Sequence, residues 1–207
     1  MTMPDSPTVF VVDDDPTVLK ALRDLIRSSG LAVQTYASAQ EFLAAYDPKQ
    51  PGCLVLDVRM PGQSGLELQR ELSARNLRLP TIIVTGFADV HVAVRAMKAG
   101  AVDVIEKPFS SQVLLDRIEE ALERDRQERS LRDRRARFEA RVATLTRRER
   151  EVMDRVVAGK PNKEIAAELG LSLKTVEGHR ARVMEKMQVD SLADLIRLAI
   201  TEQAGKA

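Results

Sequence analysis

Three consecutive carboxylates directly follow the apolar run 8–12 near the start of the chain: Asp13, Asp14 and Asp15. Two like charges about 4 Å apart near a protein surface repel each other by roughly 4 kcal/mol, so crowded acids need a physical reason. One of the three can cap the helix that Pro16 is placed to begin, but capping explains only one acid. A divalent cation such as Mg²⁺ is the alternative, because it takes oxygen ligands from one or two carboxylates.

The segment from residue 8 to residue 106 alternates short runs rich in Val, Ile, Leu and Thr with segments of helical period. The apolar runs are continuous, which is typical of parallel strands covered on both faces. Capping-box patterns begin at Ser38 and Ser64. We predict strands over Thr8–Val12, Ala32–Tyr36, Cys53–Val58, Thr81–Thr85 and Val102–Glu106, and helices over Pro16–Ser29, Ser38–Tyr46, Gly65–Arg75 and Val90–Lys98.

Four of the predicted strands end in polar residues that could do chemistry together. Ligands of open parallel sheets bind at the carboxyl ends of the strands, beside the switch in strand order. Taken singly, each residue has an ordinary explanation as a loop acid, a strand former or a surface charge. Together they predict a site with acids, a hydroxyl and a cation, formed by Asp13 and Asp14 after strand one, Asp57 on strand three, Thr85 on strand four and Lys107 after strand five.

Residues 6–122 resemble the receiver domain of bacterial response regulators. The resemblance rests on Asp13-Asp14, Asp57 followed by Met60-Pro61-Gly62, Thr85-Gly86, and Lys107-Pro108. It implies an α/β flavodoxin-like (βα)5 fold with a parallel sheet of order 2-1-3-4-5. It also implies that Asp57 accepts a phosphoryl group from a sensor histidine kinase.

The same resemblance implies a cofactor, Mg²⁺ or Mn²⁺, at the carboxyl edge of the sheet. Its expected ligands are Asp14, Asp57 and the backbone carbonyl of Arg59, with Asp13 helping through water. A carboxylate nucleophile attacking an anionic phosphoryl group needs such neutralisation. Lys107 is expected to pair with the phosphoryl oxygens as a compact cation, and Thr85 to offer a hydroxyl donor.

One departure from the receiver pattern and two variable positions bear on how such a switch would work. Val104 stands where many receivers have Tyr or Phe three residues before the lysine, so we expect helix and loop shifts to carry the switch. Arg59 and Phe87 occupy positions that in this family tune how fast water removes the phosphate.

Length and composition predict two domains, since 207 residues with 44% hydrophobic residues can supply two ordinary cores. No apolar stretch reaches the roughly 18 residues that a membrane helix needs, and no secretory leader is visible, so we expect a cytoplasmic protein. Cys53 is the one cysteine and reads as a small core residue. Residues 1–116 hold 11 basic and 14 acidic residues, whereas residues 117–207 hold 21 and 17, which permits a nucleic-acid partner for the second half.

Residues 123–142 are predicted to form a helical linker between the domains. The segment lacks Pro and Gly, and Leu131, Phe138 and Val142 follow at helical spacings. Only every second turn carries an apolar residue, so a frayed charged linker remains an alternative and a dimeric coiled coil is weakly indicated.

The second half carries a helix-turn-helix pattern. Thr146 fits a capping box and begins a helix that ends before Gly159. Two amphipathic helices then follow, over Lys163–Leu169 and Leu173–Met187, with Gly170 in the turn between them. Such a pair places its second helix in the major groove of DNA, although a small packing bundle would show the same pattern.

Residues 144–200 resemble the LuxR-type DNA-binding domain, through "LTRREREVM", "GKPNKEIAAELGLSLKTVEGHRARVMEKM" and "SLADLIRLA". With the receiver, the whole chain resembles the FixJ/NarL class of response regulators, and we assign residues 143–204 to the DNA-binding domain. Base edges of double-stranded DNA are expected to be read by Glu177, Gly178 and Ala181. Phosphate contacts are expected from Lys174, Thr175, Arg180, Arg182 and Lys186.

The resulting hypothesis is a transcription regulator, not a dedicated enzyme, that is switched by phosphorylation of Asp57. RNA polymerase is an expected partner, and the phosphorylated protein is expected to pair as a homodimer through a face formed by Val94, Lys98, Asp103 and Glu106. One alternative is a regulator controlled by protein contacts without phosphate. Another is a Mg²⁺-dependent phosphatase with an aspartyl nucleophile, which usually needs a second general acid and a substrate cap that the sequence does not offer.

Overall fold

The computed structural model describes residues 6–86 and 90–204. The chain divides into two compact units, residues 1–129 and residues 130–207. Phe87, one of the two positions expected to tune phosphate loss, lies outside the described residues.

The first unit is built on one five-stranded parallel sheet of order β2-β1-β3-β4-β5, as predicted. The strands are β1 (Thr8–Val12), β2 (Ala32–Tyr36), β3 (Gly52–Asp57), β4 (Thr81–Thr85) and β5 (Asp103–Glu106). Their register places Val12 opposite Leu56, Asp57 opposite Val84, and Thr85 opposite Glu106. Because the strands are parallel and end nearly level, the polar residues that follow them meet at one edge.

Helices cover both faces of this sheet, which is why its strands are apolar throughout. They are α1 (Pro16–Ser28), α2 (Ala39–Ala45), α3 (Gly65–Ala74), α4 (Val90–Lys98) and α5 (Ser111–Ala143). Phe10 and Val12 pack into one core cluster and Val9 and Val11 into the other, all fully buried. Continuous apolar strands therefore reflect burial on two sides.

The helix starts follow the capping chemistry expected from the sequence, with one difference. Asp15 accepts a hydrogen bond from the backbone N–H of Thr17 and caps α1. Ser64 forms a complete capping box at α3. At α2 the box is only half formed, because the Glu41 carboxylate accepts from the N–H of Ala37 rather than from Ser38.

Helix α5 runs without interruption from Ser111 to Ala143, so the predicted linker 123–142 is helical and the frayed alternative is wrong. The boundary between the two compact units falls after Arg129, seven residues beyond the predicted end of the receiver. The reason is that Asp125 is buried against the first unit, which is treated below.

The second unit is all-helical in the described residues. Its remaining helices are α6 (Arg147–Val157), α7 (Asn162–Leu169), α8 (Leu173–Met187) and α9 (Leu192–Ala204). Val176, Val183 and Met187 lie on the buried face of α8, which agrees with the amphipathic helix predicted there. Gly170 ends α7 in the left-handed conformation, with a φ of 64°, and allows the sharp turn into α8.

Candidate functional site: a phosphoacceptor edge and a DNA-binding helix

At the carboxyl edge of the sheet, one lysine bridges two buried acids. The Nζ atom of Lys107 donates to Asp13 Oδ2 at 2.9 Å and to Asp57 Oδ1 at 2.8 Å. Asp13 and Asp57 are 3% and 8% exposed, and Thr85 at the end of β4 is 1% exposed. The structure thus brings four residues of the predicted site to the same edge of the sheet.

Backbone groups hold the second oxygen of each acid. Asp13 Oδ1 accepts from the N–H of Asp15 at 2.9 Å, and Asp57 Oδ2 accepts from the N–H of Arg59 at 2.6 Å. The backbone of Lys107 is tied to β4 as well, because its N–H donates to the carbonyl of Thr85 at 2.8 Å. Both carboxylates are therefore oriented before any ligand arrives.

Gly65 is a site residue that sequence reasoning treated only as the start of a helix. A Cβ atom at this position would lie 2.1 Å from the backbone carbonyl oxygen of Asp57, so no larger residue fits without moving the strand end. The N–H of Gly65 donates to the carbonyl of Val58 at 3.1 Å. A close approach of α3 to β3 thus requires glycine here.

The charges of this edge do not balance. Burial works to lower the pKa of Lys107, but the hydrogen bonds that its ammonium donates to Asp57 and Asp13 outweigh burial, so the pKa is raised above its ordinary value. The Lys107 side chain is therefore protonated and positively charged at neutral pH. Two carboxylates against one ammonium leave an excess negative charge, and Asp14 adds an exposed acid beside them.

These residues fit a divalent cation of the Mg²⁺ type. Among residues 6–86 and 90–204, no three His, Cys, Asp or Glu side chains form a ready-made ligand cluster. Mg²⁺ does not need one, because it binds through one or two carboxylates and keeps several waters. Asp13 and Asp57 supply buried oxygen donors with excess negative charge, while Asp14 and Arg59 are exposed at the same loops.

The predicted DNA-contacting residues fall on the outer side of α8. Six of the eight are exposed: Lys174, Thr175, Glu177, Gly178, Ala181 and Arg182. Arg180 is partly buried, and its guanidinium donates to the side chain of Asn162 on α7. These six small, polar or charged residues are exposed on a helix that packs by its other face, through Val176, Val183 and Met187.

Lys186, also predicted to contact phosphate, is engaged within its own unit. Its Nζ atom donates to Glu149 Oε2 at 2.6 Å and to the carbonyl of Thr144 at 3.1 Å. Glu149 also accepts from the N–H of Thr146 in the capping box of α6. Hydrogen bonds from Lys186 and then from the Thr146 backbone lower the pKa of Glu149 to about 2. The sequence showed the capping box but gave no signal for its lysine partner 37 residues away.

The predicted dimer face is partly open. Val94 is 45% exposed, and Lys98 and Glu106 are also exposed. Asp103 is half buried and forms an ion pair with Arg117 at 2.7 Å, within the same chain.

No helix of the described part of the chain is long and apolar enough to cross a membrane.

Comparisons with known proteins agree with both halves of this description. Residues 9–119 match the response regulator receiver domain, and residues 143–199 match the bacterial regulatory proteins of the luxR family. The chain is 46% identical over 198 residues to the transcriptional regulatory protein FixJ of Azorhizobium caulinodans, covering 96% of this chain and 94% of that protein. It is 48% identical to nodulation protein W of Bradyrhizobium diazoefficiens, covering 93% of this chain and 85% of that protein.

A solved structure agrees as well. The response regulator StyR is 46% identical and superposes with a TM-score of 0.87, covering 94% of this chain and 98% of StyR. Fold and matches together define a two-domain transcription regulator with a receiver domain and a LuxR-type DNA-binding domain. The chain belongs to the FixJ-like transcriptional response regulators.

Proposed function

We propose that this regulator is switched by transfer of a phosphoryl group from a sensor histidine kinase to Asp57. The observation that carries the proposal is the pair of buried acids, Asp13 and Asp57, bridged by Lys107 at the carboxyl edge of the sheet. An acid that is buried, oriented by the Arg59 N–H and next to a fixed cation is suited to act as a nucleophile toward an anionic group.

In the proposed reaction, an oxygen of Asp57 attacks phosphorus, and the bond from phosphorus to the kinase histidine nitrogen breaks. Asp14, Asp57 and the backbone carbonyl of Arg59, with Asp13 acting through water, would hold a Mg²⁺ or Mn²⁺ ion, which would neutralise negative charge on the phosphoryl group. Lys107 moves from pairing two carboxylates to pairing one carboxylate and the phosphoryl oxygens. Thr85, buried at the end of β4, supplies a hydroxyl for the same oxygens.

We further propose that phosphorylation pairs two copies through Val94, Lys98, Asp103 and Glu106. A symmetric face lets Lys98 of one copy oppose an acid of the other. Two linked α8 helices then bind two DNA half-sites with greater avidity, and the bound dimer is placed to contact RNA polymerase.

DNA binding tests the switch directly. Genomic fragments recovered with the phosphorylated protein supply a duplex, which is then titrated with wild type and Asp57→Asn, each with and without a small-molecule phosphodonor and Mg²⁺. We expect the phosphodonor to raise the affinity of wild type and to leave Asp57→Asn unchanged. An equal gain in both proteins would overturn the proposal.

The dimer face is tested by sedimentation. Val94→Asp should keep the phosphorylated protein monomeric, because the new charges would repel across a symmetric interface. Val113→Asp is a matched control, since Val113 is also 45% exposed but lies on α5. Dimerisation of Val94→Asp, or dimers of unphosphorylated wild type, would place the switch elsewhere.

A further inference from the structure

Helix α5 carries a buried charged pair where its sequence looks like a polar linker. Leu114, Ile118 and Ala121 are each fully buried and mark the face of α5 that packs on the sheet. Asp125 is the next residue on this stripe, four positions after Ala121, and it is only 2% exposed. One turn later, Arg129 is 20% exposed. The helix thus remains docked on the receiver for two turns past the predicted domain end.

The partner of Asp125 is the backbone at the amino end of β3. Its Oδ2 atom accepts from the N–H of Gly52 at 2.9 Å. Gly52 and Leu54 direct their N–H groups to the same side of the strand, where Leu54 donates to the carbonyl of Pro80 at 2.9 Å. Since β4 begins only at Thr81, no strand among the described residues pairs with Gly52 on this side. The carboxylate therefore continues the hydrogen-bond ladder of β3 past the point where β4 starts.

Arg129 completes the arrangement with three hydrogen bonds. Its Nε atom donates to Asp125 Oδ2 at 2.7 Å, Nη1 to the carbonyl of Lys49 at 3.0 Å, and Nη2 to the carbonyl of Gln50 at 2.8 Å. The guanidinium neutralises the buried acid and also ties α5 to the segment before β3. The planar fork of the arginine, with donors on three nitrogens, reaches the carboxylate and the two carbonyls at once.

The site has little tolerance for change. A Cβ atom on Gly52 would lie 2.0 Å from the carbonyl oxygen of Thr8, so the glycine that presents its N–H to Asp125 cannot be enlarged. Asp125 Oδ1 is buried and has no hydrogen-bond partner among the described residues. The acid thus depends on Arg129 for compensation of its charge, because a buried carboxylate without a partner is strongly destabilising.

We propose that Asp125 and Arg129 are positioning residues that fasten the receiver end of α5 to the base of the sheet, so that a shift in the phosphorylated receiver is passed into the helix. The same helix continues to Ala143, within the second unit. Without this clamp, the segment after Ala121 would move independently of the sheet. This inference rests on the proposed phosphorylation switch and adds the residues that couple it to the output domain.

The first test is backbone hydrogen exchange of the full-length protein, followed over peptides that contain 46–56 and 119–133. Arg129→Met should speed exchange in both peptides by roughly tenfold or more, the factor expected when a charge-assisted hydrogen bond of a local structure is lost. Arg126→Met is the matched control, because Arg126 lies on the same helix and forms an exposed ion pair with Glu123. Exchange that is equal in the two variants would overturn the clamp.

The second test asks whether the clamp couples rather than merely stabilises. Labelling of Arg129→Met by the phosphodonor should stay within about twofold of wild type, because distant sites act independently. The gain in DNA affinity on phosphorylation should fall toward one, and Arg129→Lys, which keeps the charge but not the fork, should recover only part of it. Faster exchange with an undiminished gain would overturn the coupling role.

A double variant guards against simple unfolding. Asp125→Asn with Arg129→Met removes both charges while leaving an amide oxygen for the N–H of Gly52, and it should lose the gain as the single variant does. If wild type shows no gain in DNA affinity on phosphorylation, the proposed function fails. The exchange comparison still decides in that case whether the clamp holds α5.

Discussion

Each unit of the protein buries a carboxylate against a lysine, but the two sites differ in their balance of charge. In the receiver, Asp13 and Asp57 share the single ammonium of Lys107. In the DNA-binding unit, Glu149 alone pairs with Lys186 at 2.6 Å and also caps α6. The first site keeps an excess negative charge, whereas the second is neutral.

This difference separates a reactive site from a structural one. The charge of Glu149 is matched by Lys186, and its Oε2 atom already accepts from Lys186 and from the N–H of Thr146, so this acid is committed to structure. Asp13 and Asp57 carry more negative charge than Lys107 neutralises, so they attract a metal cation. A phosphoryl group bound to Asp57 can then pair with Lys107 in place of the free carboxylate. Buried ion pairs of similar appearance can thus serve opposite purposes.

The largest expected effect comes from removing the cation of the receiver. Lys107→Met should slow phosphoryl transfer from a small-molecule donor by roughly 100-fold, because an electrostatic contact to the transferred group is lost. The rate is measured by intact mass against time. Lys20→Met, which removes an exposed lysine on α1, is the control, and equal rates for the two variants would show that Lys107 has no part in the transfer.

The neutral site should respond in stability instead. Glu149→Gln removes a charge-assisted hydrogen bond to Lys186 and should cost about 2 kcal/mol in the free energy of unfolding, with the phosphorylation rate unchanged. Denaturant unfolding followed by helix signal measures this, with the exposed Glu185→Gln as control. A stable Glu149→Gln protein that labels slowly would reverse the assignment of roles.

Changes of pH should separate the two sites further. The pKa of Glu149 is lowered from 4.5 to about 2, so its stabilisation is complete above 4.5 and is lost as the pH falls toward 2. The pKa of Lys107 is raised above 10.5, so its contribution is complete below that value and is lost as the pH rises through the folded pKa. The stability difference between wild type and Glu149→Gln should therefore shrink as the pH falls from 4.5 toward 2.

The smallest expected effect concerns the face of α8. Arg182→Ala should weaken binding to specific and scrambled duplexes alike and reduce the salt slope by about one unit, as for one lost phosphate contact. Glu177→Ala should instead change which sequence is preferred.

Lys186→Met distinguishes the two roles of this lysine. A reduced salt slope supports the predicted phosphate contact, whereas reduced stability with an unchanged slope supports the Glu149 pair alone.

The sequence predicted the sheet and its polar edge well, because both follow from local patterns. Continuous apolar strands require two covered faces, and parallel strands bring Asp13, Asp57 and Lys107 together whatever the loops do. The sequence failed where a charged residue sits on a buried stripe. Asp125 reads as part of a solvated charge run, and only its contact with Gly52, 73 residues earlier, shows that α5 is still docked there.

The most direct test of the account is the intact mass of the protein after treatment with a small-molecule phosphodonor and Mg²⁺. The account predicts that wild type gains one phosphoryl group that is stable to acid and labile to base, as expected of an acyl phosphate. Asp57→Asn should gain none, while Asp24→Asn, which changes an exposed acid on α1, should label as wild type does. Undiminished labelling of Asp57→Asn would contradict the central assignment.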